Sequence, residues 1–231
     1  MQYELIPVDF LKTPIDGSNT VEGLKAFWRR VLPLISQREK HFADIWEKGT
    51  EEQIFAELVF CLFTPQSKAV SCWNAVKTLA GRNMMFFSDQ EHIAEVINGV
   101  RFKHAKAGYL VKARDFFTAG GSIKIREKLA SFTDIYELRK WLISNVKGVA
   151  YKEAGHFLRN IGIGGNLAIL DRHILKNLEL YGVIKEIPKN LSVRTYLEIE
   201  KKMQVFAFET GIAMSHLDML FWCRNTGGIF K

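Results

Sequence analysis

Apolar side chains recur along this chain at the spacing of an α-helix, and this pattern limits the folds open to it. In the clearest example, the stretch from Ala154 to Ile161 is apolar at positions i, i+3, i+4 and i+7, which places those side chains on one helical face. Similar stripes occur at Phe55–Leu62, Ile135–Leu142, Leu170–Leu178 and Met214–Phe221. We find no convincing alternation of apolar and polar residues, and only five prolines interrupt 231 residues. We therefore predict an all-α protein with short connections between its helices.

Composition and cysteine content exclude several other classes of protein. An apolar fraction of 48% excludes global disorder. The three cysteines are too few for a disulfide-rich secreted scaffold, and because none lies in a C-x-x-C pair they exclude a four-cysteine zinc site or iron–sulfur cluster. The apolar runs are far shorter than the roughly 20 residues of a membrane span, and Met1–Leu5 lacks the basic start of a signal peptide. We expect a soluble cytoplasmic protein without metal, cofactor or membrane contact.

The charge of the chain indicates a polyanionic partner. The formal net charge is +7 and the isoelectric point is near 9.3. Residues 101–114 carry three Lys, two Arg and one His without an acidic residue. Nucleic acid is the commonest partner of such a surface, although a basic charge can also serve solubility alone.

A glycine turn between two amphipathic stretches predicts a site that binds phosphate. One helix is expected to end near Asn145, a tight turn is centred on Gly148, and a second helix begins near Tyr151. Glycine allows close approach of a partner to the backbone, and the N–H groups at a helix start favour an anion. This predicts contacts with a DNA backbone at Gly148, Val149, Ala150 and Tyr151. The alternative is a purely structural helix corner.

Two residues after the turn could carry covalent chemistry. Lys152 lies just inside the second helix, where the helix dipole and partial burial both favour a neutral amine that can form a Schiff base. Asp171 follows 19 residues later, between an apolar segment and a helical one. Aspartate at such a place is a helix N-cap, a site residue or both. For Lys152, the alternative is a solvated surface lysine.

These motifs together resemble the helix-hairpin-helix DNA glycosylase superfamily. The hairpin is Val146–Lys152, with Ala150 where the family has its second glycine, and it is followed by an L-D-x-H-I segment at Leu170–Ile174. Leu62–Ser67 is similar to the family's L-x-S-x-Q-[ST] segment, with Thr64 for the usual serine. The basic stretch from Gly99 and the glycine-rich tail ending in Lys231 are closest to the archaeal-type, or second, subfamily of 8-oxoguanine DNA glycosylase/AP lyases.

The resemblance implies a bifunctional base excision repair enzyme. Lys152 would attack C1′ of the damaged nucleotide and Asp171 would stabilise the sugar cation, after which β-elimination nicks the strand. The carboxylate of Lys231 and the ring of Trp222 would recognise the oxidised base, and Gln66 would fill the space that the flipped base leaves. The alternatives are a frayed tail for Lys231, core packing for Trp222 and an ordinary helix-start glutamine for Gln66. The expected partner is double-stranded DNA containing 8-oxoguanine, bound by a monomer associated with the nucleoid.

The resemblance also implies two packed helical subdomains. Residues 51–164 would form a helical barrel with the hairpin, and residues 1–50 and 165–231 would form the second subdomain. Lys152 and Asp171 would then lie on opposite walls of one cleft. Two other functions stay open: a glycosylase of the same fold for another oxidised or alkylated base, and a non-enzymatic helix-hairpin-helix module that only binds DNA.

Overall fold

The computed structural model describes residues 6–8 and 19–231, and within these residues its regular secondary structure is mainly helical. The helices are α1 (Val21–Lys48), α2 (Glu51–Phe63), α3 (Ala69–Gly81), α4 (Met84–Phe87), α5 (Gln90–Val96), α6 (Lys103–Phe117), α7 (Ile125–Ala130), α8 (Ile135–Asn145), α9 (Tyr151–Asn160), α10 (Arg172–Leu180), α11 (Val193–Thr210) and α12 (Met214–Thr226). The strands are β1 (Ile6–Pro7), β2 (Thr118–Ala119), β3 (Ser122–Ile123) and β4 (Gly228–Ile229). The prediction of an all-α fold is confirmed. The sequence did not predict the four strands, because two residues are too few to show an alternating pattern.

The chain forms two compact units, which are described separately. The central unit comprises Asp44–Ile163, and the terminal unit comprises Gln2–Ala43 together with Gly164–Lys231. Met1–Leu5, on which the expectation of no signal peptide rests, lies outside the described residues. No helix of the described residues is long and apolar enough to cross a membrane.

Helix α2 is the core of the central unit. Thr50 caps its N-terminus in a capping box with Gln53, and every residue from Ile54 to Phe63 is buried. A helix that is buried on all sides needs neighbours on all sides, and α2 packs against α3, α6, α7 and α9. Inside this core, Asn160 donates a hydrogen bond of 3.0 Å to the carboxylate of Glu57. Packing against α2 therefore fixes the positions of α6 and α9, and with them the positions of their side chains.

The predicted hairpin is present between α8 and α9. Asp134 caps α8, and the turn after this helix includes a hydrogen bond of 3.2 Å from Val149 N to Val146 O. Gly148 has a φ of +92°, in the left-handed region that glycine adopts most readily. It also lies against the ring of Tyr109 on α6. Two separate requirements, the backbone conformation and the space, thus select glycine at this position.

In the terminal unit, a short antiparallel ribbon holds the end of the chain. Ile6 pairs with Ile229 in the β1–β4 ribbon, and Val8 N donates to Gly227 O at 3.0 Å. Phe230 and Lys231 are only 2% and 5% exposed. The alternative of a frayed tail is therefore wrong, because the tail is paired with the start of the chain and buried.

We expect Gly148→Ala to lower the free energy of unfolding by about 3 kcal/mol, because left-handed strain and steric overlap add. The new Cβ would lie 2.4 Å from Cδ2 of Tyr109. The matched control is Gly120→Ala, where φ is +58° but no atom lies within 4 Å of the new Cβ, so that only the strain of about 1 kcal/mol remains. Urea denaturation of both variants measures the difference, and equal losses would contradict the role of Tyr109.

Candidate functional site

Lys152 is the second residue of α9, and its side chain is held against the protein. The side chain is 20% exposed, and Nζ lies 3.5 Å from a carboxylate oxygen of Glu153. Nζ also donates a hydrogen bond of 3.1 Å to Thr64 Oγ1. The hydroxyl of Thr64 donates in turn to Cys61 O at 2.9 Å, so its oxygen is oriented as an acceptor for the lysine. This geometry differs from that of a solvated helix lysine and gives the amine a defined position.

The segment after α2 turns sharply at Gln66. Ser67 N donates to Thr64 O at 3.0 Å, and Gln66 has a φ of +54° and is exposed. Because α3 begins only at Ala69, Gln66 does not belong to a helix start. The alternative of an ordinary helix-start glutamine is therefore wrong, and the exposed side chain is available to a ligand.

An exposed aromatic residue lies next to this turn, and the sequence analysis missed it. Arg101 N donates to Ser67 Oγ at 3.0 Å, which joins the two loops. The following residue, Phe102, has a φ of +58° and is 59% exposed. Exposed aromatic rings provide stacking surfaces for nucleic-acid bases. The signal in the sequence was a phenylalanine inside a run of basic residues.

The N–H groups of the hairpin are not equivalent. Val149 N is bonded to Val146 O, and Ala150 N donates to the carboxylate of Glu153 at 3.3 Å. Glu153 is the third residue of α9 and is 8% exposed, and its carboxylate closes the start of the helix. Two of the four N–H groups predicted to bind phosphate, those of Val149 and Ala150, thus have acceptors within the chain.

Asp171 is the N-cap of α10 in the terminal unit. Its Oδ1 accepts hydrogen bonds from His173 N at 2.7 Å and Ile174 N at 2.9 Å. Both bonds fall on one oxygen, so Oδ2 is not engaged in the cap. Of the two roles left open by the sequence, the cap is present, and it holds the carboxylate in one orientation without using its second oxygen.

The segment that leads to Asp171 is fixed by α11. Tyr196 Oη donates to Ala168 O at 2.7 Å and accepts from Leu170 N at 3.3 Å. Glu200 accepts from Ala168 N at 2.8 Å. These three hydrogen bonds are buried and satisfy the backbone of an irregular segment, so Asp171 is carried by a rigid support.

Trp222 and the tail form a small aromatic cluster. Trp222 is half-buried, and its ring centroid lies 6.4 Å from that of Phe230. Its neighbours Leu220 and Phe221 are fully buried. Phe221 therefore serves the core, whereas Trp222 keeps part of its ring accessible beside the tail that ends in Lys231.

A second lysine beside Lys152 is buried, and the sequence analysis did not single it out. Lys106 on α6 is 3% exposed, and its Nζ donates to Phe63 O at 2.7 Å and Pro65 O at 2.6 Å. The signal was present in the periodicity. Lys106 lies on the same helical face as Leu110, Ala113 and Phe117, at i, i+4, i+7 and i+11.

The cysteine near these lysines is not a competing nucleophile. Burial raises the pKa of the Cys72 thiol to about 11, and Sγ donates to Phe63 O at 3.2 Å. A protonated, buried thiol is a poor nucleophile, which leaves the amine of Lys152 as the group suited to attack an electrophile. The predicted pairing of Lys152 with Asp171 across a cleft stays a prediction, since the two residues belong to different units.

Comparisons with known proteins identify the family of this chain. The model of the 8-oxoguanine DNA glycosylase family matches residues 35–212. The chain belongs to this family. The resemblance inferred from the hairpin and the L-D-x-H-I segment is thereby confirmed.

Similar proteins and structures cover nearly the whole chain. The 8-oxoguanine DNA glycosylase/AP lyase of Fusobacterium nucleatum is 41% identical over 208 residues, which are 90% of this chain and 96% of the relative. The enzyme of the same name from Methanocaldococcus jannaschii is 37% identical over 202 residues, 87% of this chain and 93% of the relative. The crystal structure of the Thermotoga maritima 8-oxoguanine DNA glycosylase superposes with a TM-score of 0.81 at 31% identity and covers 91% of this chain and 98% of that one.

One solved structure contains DNA. The Methanocaldococcus jannaschii 8-oxoguanine glycosylase/lyase in complex with a 15-mer DNA containing 8-oxoguanine has a TM-score of 0.79 and 33% identity, covering 87% of this chain and 93% of that one. The fold of this chain is therefore one that holds DNA with this lesion in a relative.

Proposed function

We propose that this chain excises 8-oxoguanine from DNA and nicks the strand at the resulting site, with Lys152 as the nucleophile of both steps. The observation that carries the assignment of Lys152 is its hydrogen bond to Thr64, which keeps a partly buried amine in a fixed position. Relatives that cover most of the chain are named 8-oxoguanine DNA glycosylase/AP lyase, which supports the combined activity. DNA is the partner.

The reaction follows from the chemistry of an amine and a carboxylate around a sugar. The damaged base must first leave the helical stack, because its glycosidic bond cannot be reached inside a duplex. The lone pair of Lys152 Nζ then forms a bond to C1′ while the bond from C1′ to the base breaks, and the base leaves with that electron pair and takes up a proton. Asp171, held by its cap, stabilises the positive charge that develops on the sugar through its second oxygen.

Strand cleavage uses the same amine. Opening of the sugar ring gives a Schiff base between Nζ and C1′. The Schiff base makes the neighbouring C2′ proton acidic, and its loss expels the 3′ phosphate by β-elimination. A carboxylate without such a lysine would remove the base and leave the strand intact.

The surface around Lys152 suits a duplex with one flipped nucleotide. The turn at Gly148 would take a backbone phosphate. Gln66 is exposed on a sharp turn and would fill the vacated space, with Phe102 beside it for stacking. We propose double-stranded DNA as the substrate, because a residue that fills the vacated space is of use only where an opposite base remains.

The proposal also includes a cellular compartment and an oligomeric state for the protein. Cys61, Cys72 and Cys223 are free and buried, which is in keeping with a reducing compartment. We propose a cytoplasmic protein that associates with the nucleoid through its DNA substrate. We also propose that it acts as a monomer.

Lys152→Gln is expected to abolish covalent trapping by borohydride on a duplex with a single 8-oxoguanine, because the amide cannot form a Schiff base. Lys152 is replaced by a residue that can still donate to Thr64, so DNA binding should change little. The assay is run on a panel of duplexes with other single lesions, which also tests the specificity. A variant that still traps and still nicks would refute the assignment.

Asp171→Asn is expected to slow base release by about 100-fold while leaving stability and DNA affinity nearly unchanged, because asparagine is an equally good N-cap but is neutral. Asp171→Ala is the companion variant and should in addition lose about 1 kcal/mol of unfolding free energy with the cap. Single-turnover base release and urea denaturation separate the two effects. Full activity of the Asn variant would exclude a catalytic carboxylate.

Displacing the carboxylate of Lys231 is expected to weaken discrimination between 8-oxoguanine and guanine by about 10-fold or more, the value of one charge-assisted hydrogen bond. A single glycine appended after Lys231 moves the carboxylate, whereas Lys231→Ala keeps the carboxylate and removes the side chain beyond Cβ together with its amine. The ratio of single-turnover excision rates on the two duplexes is the measurement. Unchanged discrimination by the extended chain would remove the tail from the recognition site.

A further inference from the structure

Lys106 is a buried cation that forms no ion pair within the described part of the chain. Its three ammonium hydrogens have three acceptors, which all belong to the segment after α2: Phe63 O at 2.7 Å, Pro65 O at 2.6 Å and Ser67 Oγ at 3.0 Å. An ammonium has three donors, so its hydrogen-bonding capacity is filled. Burial lowers the pKa of Lys106, and the nearby Lys152 acts in the same direction.

The three acceptors of Lys106 surround the residue that holds Lys152. Phe63 and Pro65 are the two neighbours of Thr64, and Thr64 Oγ1 accepts the hydrogen bond from Lys152 Nζ. Fixing the carbonyls on both sides of Thr64 fixes the direction of its side chain. Without Lys106, two carbonyls would face the interior with fewer donors, and the segment would have to rearrange.

The same three bonds determine the turn at Gln66. Pro65 and Ser67 flank Gln66, and both are bound to the ammonium of Lys106. Glutamine with a φ of +54° is in a conformation that costs free energy for a residue with a side chain, so the surrounding bonds must impose it. Lys106 thus acts on two residues of this segment: the buried Thr64, which holds Lys152, and the exposed Gln66.

We propose that Lys106 is a positioning residue for the reaction: it shapes the Thr64–Ser67 turn so that Thr64 places the Lys152 amine and Gln66 is presented to DNA. The inference rests on the proposed role of Lys152 as nucleophile. It assigns Lys106 no contact with the substrate. Its effect is therefore on the rate of the covalent step, whereas an exposed lysine of the same unit can affect only the charge of the surface.

The test compares Lys106→Met with Lys77→Met, a variant that removes an equal charge from an exposed position on α3. The rate of borohydride trapping is measured in single turnover at saturating enzyme, alongside the dissociation constant for the same duplex and the thermal unfolding midpoint. We expect Lys106→Met to trap at least 10-fold more slowly than Lys77→Met, with dissociation constants of the two variants within about 2-fold. Equal trapping rates would overturn the proposal.

A cycle with Thr64→Val distinguishes positioning from a general loss of structure, and it keeps the proposal testable should Lys106→Met fail to fold. Thr64→Val removes the hydroxyl that holds Lys152, so it alone should slow trapping and leave DNA affinity unchanged. In the double variant the two losses should not multiply, because both act through the same contact. Normal trapping by Thr64→Val, or multiplying losses, would refute the inference. Trapping by Lys152→Gln would instead refute the proposed nucleophile, so the two failures are distinguishable.

Discussion

The carbonyl groups at the end of α2 must be satisfied inside the protein, and much of the central unit is arranged around this requirement. The last turn of a helix leaves its carbonyls without donors from the helix itself, and α2 ends among buried side chains. Thr64 supplies two donors, its N–H to Phe60 O and its hydroxyl to Cys61 O. Lys106 and Cys72 supply the donors for Phe63 O. A helix end of this kind brings two lysines, a threonine and a sharp turn together at one place.

In the terminal unit, the backbone groups at the start of α10 must likewise be satisfied, and Asp171 does this. The chain enters α10 through an irregular buried segment whose backbone groups are bonded to Tyr196 and Glu200 of α11. The first free N–H groups of α10 are taken by one oxygen of Asp171. In both units, therefore, a group suited to chemistry at a sugar is fixed by the same bonds that satisfy a helix terminus. Stability and the proposed function therefore depend on the same atoms.

The local features of the fold could be predicted because each depends on a short stretch of residues. The helical stripes, the turn at Gly148 and the cap at Asp171 all follow from residues within about two turns of one another. Features that depend on distant residues were missed or left open. The charge pattern of residues 101–114 did not distinguish the buried Lys106 from the exposed Phe102, although the helical periodicity placed Lys106 on the apolar face of α6. The sequence alone left open whether the tail is frayed or ordered, because the strand that pairs with it lies at the opposite end of the chain.

The sequence by itself determined the helical class, the family and the chemical groups, because periodicity and motif residues are properties of neighbouring positions. Lys152 and Asp171 could be named from it as an amine and a carboxylate at the right spacing for a glycosylase. Only the tertiary structure decided how those groups are held. Thr64 holds Lys152, and Lys106 holds the turn that contains Thr64. The start of the chain pairs with its end. The physical reason is that burial of a polar group is tolerable only where its hydrogen bonds are met, and the partners that meet them come from segments far apart in the chain.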